Sequence, residues 1–249
     1  MSGHSHWATI KHKKGAADAK RGRLWSKIAR MIIVAARSGG GDPSSNLTLR
    51  YSIDKARAAN MPKDTIDKAI KRGTGEIEGA TFESIQYEGY GPSGVAIVVE
   101  TLTDNRNRTG PEIKRIFEKH GCSFGTPGCV SWMFHKKGLI TVATSSIGED
   151  DLMELALGAG AEDMTNSGEV YEITCDPVAY EPLKKALEAK SIPIQTAEIS
   201  MVPQTLISIA TPEVARKIIN LMEAIDDHDD VQNVHANFDI PGEVMAKVQ

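Results

Sequence analysis

A chain of 249 residues is long enough for one large domain or two to three small ones, and 41% hydrophobic with 25% charged residues is an ordinary globular composition. The net charge of −4 is unevenly distributed, because residues 1–75 hold 16 Lys and Arg against five Asp and Glu. The longest apolar run, residues 31–36, is six residues, far short of the roughly 18 that a membrane-spanning helix needs.

A secretory signal peptide needs an unbroken apolar stretch soon after its basic residues, and the basic first part of this chain has none. We therefore expect a cytoplasmic protein in which Cys122, Cys129 and Cys175 are reduced thiols. Two of these cysteines lie between His120 and His135, but without the C-x-x-C spacing of a zinc site. We expect no metal, no cofactor and no small-molecule substrate.

The first predicted element is an amphipathic helix from Lys20 to Arg37, preceded by a basic arm that we expect to be mobile. Its cations form one stripe and its apolar residues another. The apolar stripe comprises Leu24, Ile28, Met31, Ile32 and Ala35.

Two further helices are predicted before residue 76. Three glycines and a proline end the first helix, and Asn46 is placed to cap the second. The third follows Pro62 and is predicted to stop at Gly73. Residues 1–76 are thus predicted to form a basic helical domain with a mobile N-terminal arm.

After a polar junction the pattern changes from helical to extended. We predict strands at 85–90 and 94–102, then a helix with Thr109 as its N-cap and Glu112 as the capping-box partner. The segment "VSWMF", residues 130–134, is predicted to be the next strand of this domain.

The remaining elements predict two α+β units. Strand 139–144, helix 149–158, strands 161–165 and 169–174, helix 177–190 and strand 194–201 make a ferredoxin-like βαββαβ set. The unit that begins with the strands at 85–90 and 94–102 is then completed by strand 205–210, helix 212–226 and strand 231–238. The predicted fold class is α+β: a helical N-terminal domain followed by two ferredoxin-like α+β domains, the third inserted in the second. The predicted bounds are 80–136 with 204–240 for the discontinuous domain and 138–203 for the inserted one.

The basic first part is the strongest functional signal, because its excess of cations suits a phosphate backbone that releases condensed counterions on contact. An amphipathic basic helix also suits an anionic lipid surface, but here its apolar face is needed for a three-helix core. We therefore predict a nucleic-acid partner, duplex DNA or ribosomal RNA, and no membrane partner. The predicted nucleic-acid-binding residues are Lys11, Lys13, Lys14, Lys20, Arg21, Arg23, Lys27, Arg30, Arg106 and Arg108.

Two features leave alternatives open. Arg106 and Arg108 stand at a predicted helix start, where they either hold phosphate or pair with Asp104 and neighbouring carboxylates. The acidic stretch "EAIDDHDD", residues 223–230, is either a solvated loop or a patch that docks the basic first part or a basic partner. Motifs of serine hydrolases, P-loop proteins and zinc proteases do not occur, so we expect no enzyme and no catalytic residues.

Several segments, in order along nearly the whole chain, resemble the YebC family of probable transcriptional regulators, among them "GHSHWATIKHKKGAADAKRGRLWSKI", "ANMPKDTI", "TDNRNRT" and "GCVSWMF". The resemblance implies a helical N-terminal domain, two α+β domains, and nucleic-acid contacts at the basic residues up to Arg23. The chain departs from the family pattern at His6, where we expect Lys, and at Cys122, where we expect Gly.

Members of the family are described as DNA-binding regulators, mitochondrial relatives as translational activators, and bacterial relatives are linked to ribosomes stalled at proline runs. We predict a cytoplasmic, non-enzymatic, nucleic-acid-binding regulator of gene expression that acts as a DNA-binding transcriptional regulator. The alternative is a ribosome-associated translation factor that contacts ribosomal RNA, for example on ribosomes stalled at proline runs.

Overall fold

The N-terminal part is a three-helix unit. The computed structural model describes residues 18–248, with side chains from residue 21 onward. Helices α1 (Asp18–Gly39), α2 (Leu47–Ala58) and α3 (Lys63–Thr74) pack around a core that includes Ile28, Ile32 and Leu49. Leu24, which was predicted to lie on the apolar face, is 40% exposed, because it lies a turn before the buried part of α1.

The cap of α2 is confirmed. The side-chain oxygen of Asn46 accepts a hydrogen bond from the backbone N–H of Leu49 at 3.0 Å. Its amide nitrogen donates to the carbonyls of Ala35 and Gly40, both at 2.8 Å. Asn46 therefore begins one helix and also fastens it to the end of the preceding one.

The predicted stop at Gly73 is wrong. Gly73 lies inside α3 and is buried, and a Cβ added to it would come within 2.6 Å of the Ala36 side chain and of the Ile33 carbonyl. The residue that ends the helix is Gly75, with φ of 84° in the left-handed region. Gly73 instead allows α1 and α3 to approach closely.

The first sheet has the strand order β3-β1-β2-β9 and is antiparallel throughout. Its strands are β1 (Glu83–Tyr90), β2 (Ala96–Thr103), β3 (Ser123–Phe124) and β9 (Val231–Ala236). Helices α4 (Arg106–Lys119) and α7 (Pro212–Asp226) cover one face and share an apolar core with β2 and β9.

Two predictions in this part are wrong. Helix α4 begins at Arg106, because Asn105 caps it by accepting from the Arg108 N–H, so Thr109 lies inside the helix and is buried. The segment 130–134 is not a strand of this sheet, since its backbone N–H groups at Val130 and Ser131 donate to the Glu88 carboxylate. Residues Ser131–Met133 form a 3₁₀ turn, and β3 takes the predicted place in the sheet.

The second sheet, in the order β5-β6-β4-β7, is the ferredoxin-like unit. Its strands are β4 (Phe134–Ala143), β5 (Ala161–Asn166), β6 (Val170–Cys175) and β7 (Ile194–Pro203). Helices α5 (Glu149–Gly158) and α6 (Tyr180–Ala189) pack on its apolar core. The predicted α+β fold class is confirmed.

A short parallel pair, β8 (Ile207–Ser208) with β10 (Phe238–Asp239), and helix α8 (Gly242–Met245) complete the fold. The predicted strands 205–210 and 231–238 are thus shorter than expected. The second strand is interrupted at Asn237, whose side-chain oxygen accepts the N–H of Ala96. Within the described residues, no helix combines the length and the apolar composition required to cross a membrane.

Candidate nucleic-acid interface

The ten predicted binding residues fall into three groups. Lys11, Lys13 and Lys14 lie outside the described residues, as does the side chain of Lys20. Four others lie along α1, where Arg21 and Arg23 are exposed and Lys27 and Arg30 are partly buried. Arg106 and Arg108 are exposed in the first turn of α4.

The cations of α1 meet the acidic loop, residues 226–230, at the C-terminal end of α7. Arg30 Nη1 lies 3.0 Å from Asp230 Oδ1 and also donates to the Asp229 carbonyl. Lys27 Nζ donates to the Asp226 carbonyl and lies 3.9 Å from its carboxylate. Helix α1 is therefore held against the acidic loop by charge.

Arg23 extends the same contact by one turn. Its Nη1 lies 3.7 Å from Asp227 Oδ1, and both side chains are largely exposed. The side chains of Lys27 and Arg30 are only 13% and 21% exposed. The contact is thus solvated at Arg23 and largely covered at Lys27 and Arg30.

Asp230 is the centre of this contact. Its carboxylate is 3% exposed and accepts hydrogen bonds from Thr109 Oγ1 at 2.6 Å and Arg108 Nη2 at 2.8 Å, in addition to Arg30. Burial would raise the pKa of Asp230, but these hydrogen bonds and the two guanidinium charges outweigh it and lower the pKa. Asp230 therefore stays ionised and joins α1, α4 and the acidic loop.

The two arginines of α4 differ in their contacts. Arg108 pairs with Asp104 at 3.0 Å and with Asp230, and these carboxylates raise its pKa. Arg106 is exposed in the same turn. The structure thus shows carboxylate pairing at Arg108.

A cleft of about 970 Å³ lies between α1 and α4 beside the acidic loop. Its cationic lining consists of Arg23 and Arg30 from α1 and of Arg108, Arg115 and Lys119 from α4. Sequence reasoning missed Arg115 and Lys119. Their spacing from Arg108, seven and eleven residues, places all three on one helix face and was the signal available.

A serine, a histidine and a carboxylate line up where the two sheets meet. His235 Nε2 lies 3.2 Å from Glu100 Oε2, and Ser200 Oγ lies 3.5 Å from His235 Nδ1. Burial would raise the pKa of Glu100, but hydrogen bonds from His235 and Asn233 and the charge of His235 lower it to about 2. Ser200 and His235 are both buried, so a substrate reaches this hydroxyl only if the sheets separate.

The residues that the structure describes contain no group of three His, Cys, Asp or Glu side chains placed to hold a metal ion. Cys122 and Cys129 are free thiols, and burial raises the pKa of each.

Two family models match the chain. One, described as the TACO1/YebC protein N-terminal domain, covers residues 5–76, and the other, the TACO1/YebC second and third domain, covers residues 82–238. A probable transcriptional regulatory protein of Desulforapulum autotrophicum is 54% identical over 244 residues, 98% of each chain. One of Geobacter sulfurreducens is 52% identical over 248 residues, 100% of each chain.

A solved structure has the same fold. The crystal structure of a conserved hypothetical protein from Aquifex aeolicus matches with a TM-score of 0.85 and 47% sequence identity. The match covers 96% of this chain and 99% of that one. The two proteins are therefore similar in both sequence and fold over nearly their whole lengths.

Proposed function

The chain belongs to the TACO1/YebC family, and from this premise we propose that it regulates gene expression by binding nucleic acid, first of all duplex DNA as a transcriptional regulator. The single observation that carries the proposal is the charge of residues 1–75, with 16 Lys and Arg against five Asp and Glu. The names of the curated relatives support a regulator.

The binding face that we propose runs from the basic N-terminal segment onto α1. It comprises Lys11, Lys13, Lys14, Lys20, Arg21 and Arg23, continues to Lys27 and Arg30, and reaches Arg106 and Arg108 across the cleft. Cations in this number bind the phosphate backbone of DNA by releasing its counterions. The logarithm of the binding constant therefore falls with the logarithm of the salt concentration, with a slope of about −0.9 per phosphate neutralised. Such contacts position the protein and carry little sequence information.

A second candidate is a translation factor that binds ribosomal RNA. The observation that favours it is the docking of α1 on the acidic loop. A base-reading helix must insert into the major groove, whereas the central polar side of α1 is turned toward another part of the same chain. Recognition by backbone and shape suits RNA at least as well as DNA.

We propose binding without catalysis. Of the chemistry-bearing side chains that line up, Ser200 and His235 are buried where the two sheets meet, and His235 pairs there with the partly exposed Glu100. The acidic loop is engaged by arginine and lysine side chains, which suits an electrostatic contact.

The test is a competition at about 0.15 M salt, in which the purified protein is offered ribosomes and an excess of duplex DNA. The test variant replaces six cations by Gln: Lys11, Lys13, Lys14, Lys20, Arg21 and Arg23. A control variant loses the same charge elsewhere, by replacing Lys114, Lys184, Lys185, Lys190, Lys217 and Lys247 with Gln. We expect the test variant to bind nucleic acid at least about tenfold more weakly than the control.

The two candidates differ in outcome. Preference for promoter duplex over scrambled duplex supports the transcriptional regulator. Saturable ribosome association that survives the DNA supports the translation factor. Equal binding by the test variant and the wild type on both targets would contradict the proposed face.

A further inference from the structure

Three cations of α1 each have a partner in the acidic loop. Arg23, Lys27 and Arg30 are spaced at i, i+4 and i+7, which places them on one side of the helix. Their carboxylate partners are Asp227 at 3.7 Å, Asp226 at 3.9 Å and Asp230 at 3.0 Å. The loop thus presents negative oxygens along the helix in the way that a phosphate backbone would.

The same cations belong to the face proposed for nucleic acid. A guanidinium or an ammonium group donates equally well to carboxylate and phosphate oxygens. While the loop is in place, the side chains of Lys27 and Arg30 are 87% and 79% covered, given their 13% and 21% exposure. The loop takes their donor groups directly, since Lys27 Nζ donates to the Asp226 carbonyl and Arg30 Nη1 to the Asp229 carbonyl, so a phosphate gains these groups only in exchange for the loop.

We propose that the acidic loop is an intramolecular competitor of nucleic acid: it occupies Arg23, Lys27 and Arg30 in the free protein, and a bound phosphate backbone displaces it. This inference rests on the proposed function and adds a regulation of the same site. The partner is a polyanion. The loop lowers the apparent affinity of that polyanion for Arg23, Lys27 and Arg30.

The structure supplies a reason why the loop keeps its shape after displacement. Arg108 and Thr109 of α4 donate to Asp230 Oδ2, whereas Arg30 of α1 donates to Oδ1. The loop is therefore fastened to its own domain independently of α1, and only the contacts with Arg23, Lys27 and Arg30 must break. The ion pairs at Arg23 and Lys27 are longer than 3.5 Å, and the one at Arg23 is solvent-exposed, so these two exchange readily. The Arg30–Asp230 pair at 3.0 Å is the tight one that a phosphate must replace.

The size of the effect follows from the open population. If the site is free of the loop in a fraction of molecules, the apparent dissociation constant is the intrinsic one divided by that fraction. Ion pairs like those of Arg23 and Lys27 leave these two residues free of the loop in about a tenth of the molecules. Removal of the competitor is then expected to tighten binding by about tenfold.

The test variant is D226N/D227N/D229N, which removes three charges and leaves the buried Asp230 in place. The control D150N/D151N/E154Q removes three exposed charges from α5 and changes the net charge equally. Binding to a promoter duplex and to a ribosomal RNA fragment is measured at about 0.1 M and 0.4 M salt. We expect the test variant to bind about tenfold more tightly than the control at low salt. This difference in affinity should be smaller at high salt, because salt weakens the contact between α1 and the acidic loop in the control as well.

A second measurement needs no nucleic acid. An amine-reactive reagent is applied to the free proteins, and labelling of Lys27 is compared with that of the exposed Lys68 by mass spectrometry. Relative labelling of Lys27 should be low in the wild type and the control and rise several-fold with salt. At low salt it should be higher in the test variant than in either of them, because the carboxylate of Asp226 has been removed.

The outcomes separate the two proposals. Equal affinity of the test and control variants, or Lys27 labelling that ignores both salt and the substitutions, would overturn the competition. Responsive Lys27 labelling without nucleic-acid binding by any of the proteins would overturn the proposed function and the competition together, and would reduce the loop to a docking contact.

Discussion

Glu88 shows how one buried charge organises a loop. Its carboxylate is 4% exposed and accepts the backbone N–H groups of Gly128, Val130 and Ser131 at 2.7, 2.7 and 2.8 Å. Burial would raise the pKa of Glu88, but the three hydrogen bonds outweigh it and lower the pKa. One buried carboxylate thus holds three backbone N–H groups of the loop that presents Trp132, which is 65% exposed.

We predict that Glu88→Gln lowers the free energy of unfolding by about 2–3 kcal/mol at pH 7. The amide offers one acceptor oxygen and turns an NH₂ group toward backbone donors. Glu83→Gln, at the exposed start of the same strand, is the control and should change stability by less than about 0.5 kcal/mol. Urea denaturation measures both.

The pH dependence of this effect has a definite sign. The folded-state pKa of Glu88 lies below its ordinary value of 4.5, so the carboxylate stabilises the fold fully above that value and loses its effect as pH falls through the lowered pKa. The difference between wild type and Glu88→Gln should therefore shrink below pH 4.5. If the difference in the free energy of unfolding stays constant down to pH 3, Glu88→Gln destabilises the protein through its shape alone and not through the lost charge.

At the scale of elements, the approach of α1 and α3 depends on Gly73. Alanine has the higher helix propensity by about 1 kcal/mol, yet a Cβ at residue 73 would come within 2.6 Å of the Ala36 side chain and the Ile33 carbonyl. Overpacking of this kind costs about 1–3 kcal/mol. The steric cost is expected to exceed the gain in propensity.

We therefore predict that Gly73→Ala destabilises the protein by about 1–2 kcal/mol in thermal or urea denaturation. The matched control is Gly22→Ala in α1, where no atom lies within 4 Å of the added Cβ; it should be neutral or stabilising by up to about 1 kcal/mol. A Gly73→Ala protein as stable as Gly22→Ala would mean that the two helices have room to separate.

Elements governed by local pattern were predictable, and those governed by distant contacts were not. Helices 149–158 and 212–226 have the predicted bounds, because periodicity and end signals lie within each segment. The stop at Gly73 and the strand at 130–134 were wrong, because Ala36 and Glu88 decide those positions from elsewhere in the chain. The cap at Thr109 was wrong for a local reason, because Asn105 caps the helix four residues earlier. The predicted domain bounds stay a prediction.

The candidate site was predictable in kind and not in detail. The charges in the sequence distinguish basic residues 1–75 from the acidic stretch 223–230. Docking between these two segments was one of the alternatives left open. Which cation meets which carboxylate depends on the placement of α1 against α7, which no local pattern encodes. The sequence therefore did not indicate that Lys27 and Arg30 have partners within the chain.

At the scale of the whole molecule, the N-terminal helices contact both other parts by different forces. Helix α1 meets the acidic loop through charge, whereas Tyr51 of α2 packs edge-on against Tyr180 of α6, with ring centroids 5.7 Å apart and an interplanar angle of 86°. Burial, together with the charge and a hydrogen bond of Glu181, raises the pKa of Tyr51 to about 12. The phenol is therefore neutral at physiological pH, and this second contact is insensitive to charge screening.

The two contacts should consequently respond differently to salt, and displacement of the acidic loop should then be a swing of the three N-terminal helices, and α1 with them, about the contact at Tyr51. A double-mutant cycle with Tyr51→Leu and Tyr180→Leu is expected to give a coupling free energy of about 0.5–1.5 kcal/mol, equal at about 0.1 M and 1 M salt. The cycle is needed because Tyr180 also belongs to the apolar core of the second sheet, so its substitution alone costs stability for other reasons. A coupling that vanishes at high salt would mean that the three N-terminal helices leave both other parts together, so that α1 does not move about a fixed point.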